Sequence, residues 1–276
     1  MKHVIYYFTG TGNTLSLARK VGEKLDGEVE LIPVARYVQS DAAAAEDAAV
    51  RKSAGAIPVP EADTVGFFFP IYSSDAPWPM KAALERMELP EGAYLYAIAD
   101  CNARYGLAYD IFNGLLSHEK GRTLDYAEVV KMPGNCHESN AAENAQRLEL
   151  EAFFTDLIAK NVNHHFVGTM LNFYSPEATT EATRHKYDGT PFEVWHVDQS
   201  RCIGCGMCAR VCPMANISLV DGRPEFRDRC AYCFACFHFC PKQALYKEMD
   251  HFRPEDMRSQ YHHPDVTWKD IQAQKG

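Results

Sequence analysis

The 276-residue sequence has no apolar run approaching the roughly 18 residues that a membrane span requires. Its opening, MKHVIYYF, lacks the long apolar stretch and small-residue cleavage site of a secretory leader. No membrane insertion is expected, and the expected compartment is the cytoplasm. Positive charge is also scarce: 28 Lys and Arg stand against 37 Asp and Glu, a formal net charge of −9. That balance argues against nucleic acid as a partner. No paired carboxylates and no nucleophile–base arrangement stand out, so acid–base catalysis has no visible machinery. Cysteine, by contrast, is plentiful, with ten residues. Disulfide scaffolds belong to short secreted chains, and this chain is neither.

Eight of those cysteines form two repeats of one spacing. The first is Cys202-Ile-Gly-Cys205-Gly-Met-Cys208-Ala-Arg-Val-Cys212-Pro213, and the second is Cys230-Ala-Tyr-Cys233-Phe-Ala-Cys236-Phe-His-Phe-Cys240-Pro241. Both read C-x2-C-x2-C-x3-C-P, the run of bacterial ferredoxins, in which the fourth cysteine ligates the other cluster. Three closely spaced thiolates cap three corners of a cube from one tight loop, and that loop cannot turn back to the fourth. One 4Fe–4S cluster is thus expected on Cys202, Cys205, Cys208 and Cys240. The second is expected on Cys230, Cys233, Cys236 and Cys212. Zinc ribbons also use C-x2-C pairs but need neither the third cysteine nor the C-P ending. Gly204 and Gly206 let the first loop wrap closely, and Pro213 and Pro241 turn the chain after each crossing ligand.

The first 165 residues alternate apolar runs with amphipathic stretches. Strands are expected at Val4–Phe8, Glu28–Ile32, Thr64–Phe69, Tyr94–Ala99 and Thr123–Val130. Helices are expected at Thr14–Leu25, Asp41–Lys52, Pro79–Met87, Leu107–Ser117 and Ala141–Lys160. Nearly continuous apolar strands suit a parallel sheet buried on both faces, so the reading is an α/β, doubly wound, five-stranded domain of order 2-1-3-4-5. The first strand runs directly into Thr9-Gly10-Thr11-Gly12-Asn13-Thr14 and then a helix, a turn rich in hydroxyls and N–H groups suited to a phosphate. There is no lysine for a Walker loop, and Leu15 stands where a Rossmann fingerprint needs a third small residue.

Thr9–Thr14 resembles the FMN phosphate loop of flavodoxins, and the strand layout resembles their fold. A flavodoxin-like domain (1–165), a connector (166–192), a small α+β two-cluster ferredoxin-like domain (193–249) and a tail (250–276) together resemble the flavodoxin–ferredoxin fusion proteins. The resemblance implies FMN at the carboxyl ends of the strands. Its phosphate would then lie on Thr9, Gly10, Thr11, Gly12, Asn13 and Thr14. The loop after the third strand, with Ile71, Tyr72 and Ser73, would lie along the ring system, and Trp78 is a further aromatic candidate. Cys101, Asn102, Tyr105 and Gly106 would flank its other side. Cys101 and Cys136 remain outside the cluster runs and read as small packing residues rather than reactive thiols.

The expected function is electron transfer among two 4Fe–4S clusters and FMN, linking one-electron carriers to a one- or two-electron acceptor, with redox proteins as partners. An FMN-dependent reductase acting on a small-molecule acceptor under a roof of residues 161–200 is one alternative. A redox sensor that changes partner affinity is another.

Overall fold

A computed structural model of the chain describes residues 1–40, 49, 53–57, 59–102, 105–135, 141–169, 195–247 and 260–276. The helix expected at Asp41–Lys52, the thiol of Cys136 and most of the connector lie outside the described residues.

Five long-range crossovers build one parallel sheet of order β2-β1-β3-β4-β5-β6. Its strands are β1 (Lys2–Tyr7), β2 (Glu28–Pro33), β3 (Thr64–Pro70), β4 (Tyr94–Cys101), β5 (Tyr126–Lys131) and the short β6 (Gly168–Thr169). Every neighbouring pair is parallel. The apolar runs explain the order. All seven residues of β3 and all eight of β4 are buried, which only interior strands covered on both faces can be. Edge strand β2 alternates exposed and half-buried residues before turning inward at Ile32 and Pro33. This is the 2-1-3-4-5 order of flavodoxin-like sheets, extended by one two-residue strand beyond residue 165.

Helices α1 (Asn13–Gly22), α2 (Trp78–Arg86), α3 (Ala108–Lys120) and α4 (Ala141–Asn163) cover the sheet. Phe67 and Phe69 pack edge-on or tilted against Phe112 of α3, and Phe69 meets Tyr109 edge-on. Helix α3 stops at Gly121, which holds φ +63 as its C-cap.

The cysteine-rich part is a small α+β unit with internal symmetry. Strands β7 (His196–Val197) and β10 (Leu245–Tyr246) pair antiparallel, as do β8 (Ile217–Val220) and β9 (Arg223–Phe226). Each cysteine loop ends in a short helix, α5 (Met207–Val211) or α6 (Ala235–His238). The two halves repeat at the backbone level. Gly204 and Tyr232, Gly206 and Phe234, and Ala215 and Gln243 are pairs 28 positions apart in the sequence. All six residues hold positive φ, between 47° and 73°. The tail then returns to the first domain, ending in α7 (Trp268–Gln272) with a capping box between Thr267 and Asp270.

Candidate redox centre

The eight thiols gather into two groups of four, and each group takes its fourth member from the other repeat. Cys202, Cys205, Cys208 and Cys240 line one cavity with Ile203, Leu219 and Pro224. Cys212, Cys230, Cys233 and Cys236 line the other with Trp195, Phe226 and Phe234. None of the eight is in a disulfide. Among the described residues, no three Cys, His, Asp or Glu side chains converge closely enough to grip a single metal ion. Four thiols spread round a cavity suit a cuboidal cluster, whereas zinc draws its sulfurs in to about 2.3 Å. Trp195 supplies a second indication: its buried indole N–H has no partner among the described residues, as a donor awaiting a cluster sulfur would. Both donor sets therefore fit 4Fe–4S clusters.

Backbone amides already point at the sulfurs. Asn216 N–H donates to Cys212 Sγ at 3.3 Å and Ala244 N–H to Cys240 Sγ at 3.4 Å, again at matching positions of the repeat. Tyr232 N–H donates to Cys230 Sγ at 3.4 Å. Burial pushes the free thiol of Cys208 up to about 11 and raises those of Cys233 and Cys236 further, so these three stay protonated without metal. Iron must therefore displace protons as it binds.

The two cages differ in exposure. Cys205 is exposed and Ile203 beside it is 61% exposed, whereas Cys212, Cys233 and Cys236 are buried. The inner cage faces the α/β domain. Trp78 Nε1–H donates to the Cys230 carbonyl at 3.1 Å, and Asn135 Nδ2 donates to the Cys233 carbonyl at 3.4 Å. Asn135 also accepts from His238 Nε2 at 2.7 Å, which fixes α6 against the loop after β5. A Cβ on Gly10 would stand 2.2 Å from the Cys233 carbonyl oxygen, so glycine is required there by the cluster loop lying directly on it.

Gly10 belongs to the Thr9–Thr14 turn, which sits buried at the carboxyl end of β1. Gly12 caps α1 at φ +100 and has no side chain to satisfy the first-turn N–H groups. No acidic residue occupies that turn either. A buried helix start of this kind fits an anion held by backbone donors, which is the part of the expected cradle the structure retains. Two expected side chains turn elsewhere. Asn13 Nδ2 donates to the Pro133 carbonyl at 2.8 Å, and the Thr14 hydroxyl donates to Asp100. Burial raises Asp100 to about 6, against the opposing pull of Thr14.

The loops expected along the ring system touch one another. Tyr72 and Asp75 exchange backbone hydrogen bonds of 3.0 and 3.1 Å around Ser73 and Ser74, both at positive φ. Gly106, at φ +54, packs so tightly on Ser74 that a Cβ would lie 2.0 Å from the Ser74 Cβ. Tyr72 is buried, with its hydroxyl beside Gly10. Ile71 and Tyr105 are half-buried, while Trp78 is committed to the inner cage. Asn102 accepts from Arg147 of α4. Cys101 is buried beside Lys131 (3.5 Å), and burial raises its thiol, so it is a packing residue rather than a poised nucleophile.

The sequence placed the tail against one of the domains without naming its contacts, and the structure shows it docked against both. Thr9 exchanges two hydrogen bonds with the side chain of fully buried Gln274: its N–H donates at 3.1 Å and its carbonyl accepts at 3.0 Å. His263 N–H donates to the Thr11 carbonyl at 2.8 Å, and the Tyr261 hydroxyl donates to Asn13 Oδ1 at 2.7 Å. Val266 packs on Gly12. Gln260 meanwhile donates to the Phe237 and Cys240 carbonyls, each at 2.7 Å. The tail thus ties both the turn and the cluster domain together.

With this geometry the chain is a flavodoxin-like α/β domain joined to a ferredoxin-type iron–sulfur segment. Residues 195–218 match the family model described as 4Fe-4S binding domain, which spans the first cysteine run. An uncharacterised polyferredoxin-like protein of Methanocaldococcus jannaschii is 29% identical over 85 residues, covering 26% of this chain and 51% of that one. YsaA of Escherichia coli, provisionally an electron transport protein, is 38% identical over 56 residues, covering 18% of this chain and 36% of that one. The chain thus spans about half the length of the first relative and about a third of the second. Among solved structures, an FMN-dependent NADH-azoreductase from Bacillus anthracis aligns over 59% of this chain and 100% of its own, at 12% identity and TM-score 0.41. A flavodoxin from the domain Archaea aligns over 57% and 99%, at 13% identity and TM-score 0.31. The fold assignment rests on the strand order rather than on these likenesses. No helix among the described residues is long and apolar enough to cross a membrane.

Proposed function

We propose that this protein transfers electrons between one-electron carriers and a one- or two-electron acceptor, through two 4Fe–4S clusters and FMN. The observation that carries the reading is the contact of the inner four-thiol cage with the Thr9–Thr14 turn, where the Cys233 carbonyl lies on Gly10. The clusters exchange one electron at a time, while FMN takes up one or two, so joining them couples the two kinds of chemistry.

In this reading Cys202, Cys205, Cys208 and Cys240 hold the outer cluster, whose exposed edge at Cys205 and Ile203 is where a carrier protein meets the chain. Cys212, Cys230, Cys233 and Cys236 hold the inner one. The first-turn N–H groups of α1, with Thr9 and Thr11, hold the FMN phosphate, while Asn13 and Thr14 brace the turn through Pro133 and Asp100. Trp78, Asn135 and His238 keep the inner cage docked. Ile71, Tyr72, Ser73, Asn102, Tyr105 and Gly106 lie on the two loops that bound the strand ends. Anaerobic reductive titration tests the reading. Two one-electron centres and one two-electron flavin predict about four electrons per chain, with visible bleaching of both chromophores. Uptake of two electrons with no flavin absorbance would overturn it.

A further inference from the structure

Two elements from outside the α/β domain lie on the Thr9–Thr14 turn, and they differ in what holds them. The cluster loop meets Gly10 through the carbonyl of Cys233, itself a cage residue, and is fastened beside it by Trp78 and Asn135. That side cannot shift without disturbing the cage. The tail covers the other end of the turn. The Tyr261 hydroxyl donates to Asn13 Oδ1 at 2.7 Å, and His263 N–H donates to the Thr11 carbonyl at 2.8 Å. A Cβ on Gly12 would stand 2.7 Å from the Val266 Cβ, so the tail lies directly on the residue that caps α1. All six residues of the turn are buried, and Val266 is buried with them.

The tail is anchored on both sides of this cover. Before it, Gln260 donates to the Phe237 and Cys240 carbonyls. After it, α7 is fixed by fully buried Ile271 and by the two hydrogen bonds between Gln274 and Thr9. Residues 261–267 span the interval on lighter fastenings. These are the single hydrogen bonds to Asn13 and Thr11, the apolar contact of Val266, and the 3.2 Å contact of His263 with Glu151. The remaining one is a 2.8 Å ion pair between Lys20 and Asp265, whose carboxylate is 62% exposed. An ion pair so exposed contributes little. Lifting seven residues between two intact anchors is a local opening, which costs far less than unfolding.

On the reading of Thr9–Thr14 as the FMN phosphate turn, we propose that residues 261–267 are a strap closed over the phosphate end of the flavin site, and that FMN enters and leaves when the strap lifts. Tyr261, His263 and Val266 are the residues that fasten the strap to the turn. The cluster loop is the fixed wall and the strap the moving one.

The test follows FMN uptake by deflavinated, iron-loaded protein and FMN release from the holoprotein, both by flavin fluorescence under anaerobic conditions. The parent chain is compared with its Tyr261→Phe and Val266→Ala variants, and iron is counted in every sample. A loosened strap opens the path in both directions, so uptake and release should accelerate together. The expected gain is about 2- to 12-fold for the hydrogen bond lost from Tyr261. It is about 15-fold for the two buried methyl groups lost from Val266. Affinity should stay nearly unchanged, because the strap closes over the turn with and without flavin. Unchanged rates in variants that keep their iron would overturn the strap. Faster release with slower uptake would also overturn it, since the tail would then shape the turn rather than cover it. Loss of iron or of flavin binding from both variants would overturn it too, since these residues would then be part of the folded framework. A parent protein that binds no FMN would fail the functional reading itself, a result recognisably different from the others.

Discussion

Asp100 ends β4 beneath the Thr9–Thr14 turn, fully enclosed, and accepts from the Thr14 hydroxyl. Burial raises its folded pKa to about 6 from 3.8, so the folded chain binds this proton more tightly than the unfolded one. The stability contribution is therefore complete at acid pH, declines as pH rises between the two values, and stays lost above them. Asp100→Asn keeps an acceptor for Thr14 and removes the buried charge. It should melt higher than the parent at pH 8, by up to roughly 3 kcal/mol for a shift of about two units, and equally at pH 4. Melting curves at the two pH values check this; equal stability at pH 8 would count against a buried charge at that position. Gly10 teaches the complementary lesson. As part of a phosphate turn it reads as a residue freeing backbone for a ligand, yet its missing Cβ makes room for the Cys233 carbonyl. Sequence alone shows that a glycine is needed there but not which neighbour needs it.

At the scale of elements, legibility followed the range over which each signal acts. Strands β3 and β4 were visible as continuous apolar runs because burial on both faces leaves no polar positions. The crossing of Cys212 and Cys240 was expected because a short loop cannot enclose a cube, and each of these thiols lines the cavity of the other repeat. The tail's docking was expected but its partners were not legible, because its hold on the turn comes from single polar side chains such as Gln274, 265 residues away from Thr9, with no periodicity to betray them. The left-handed Tyr232 and Phe234 were hidden too, since nothing in an aromatic residue announces positive φ. The tail's second anchor is Glu151 of α4. Burial pushes its carboxyl up, but hydrogen bonds from His263 (3.2 Å), Lys20 (2.6 Å) and Ser16 (2.6 Å) win and hold it below its ordinary value. A lowered carboxylate stabilises above its unfolded pKa and loses that contribution as pH falls through the folded one, so acid should release the tail. Gln274→Ala removes both hydrogen bonds to Thr9 and should speed hydrogen exchange at residues 9–14 at neutral pH by about 5- to 30-fold, as one to two kcal/mol implies. Unchanged protection there would mean the tail does not hold the turn closed.

Across the whole molecule, the arrangement is graded from outside to inside. The outer cage carries an exposed cysteine, the inner cage lies buried between Trp195 and Trp78, and the turn at the strand ends adjoins it through Gly10. The tail pins turn and cage to one another, binding Cys240 through Gln260 and Asn13 through Tyr261. That bracing keeps the distance between the two domains fixed, which electron transfer needs and a flexible linker would not supply. The most direct measurement is chemical analysis of anaerobically purified protein for iron, acid-labile sulfide and flavin. On the proposed reading, with eight cysteines as ligands and FMN phosphate on the Thr9–Thr14 turn, about eight iron, eight sulfide and one FMN per chain are expected. Four iron, bound zinc, or eight iron without flavin would contradict the account.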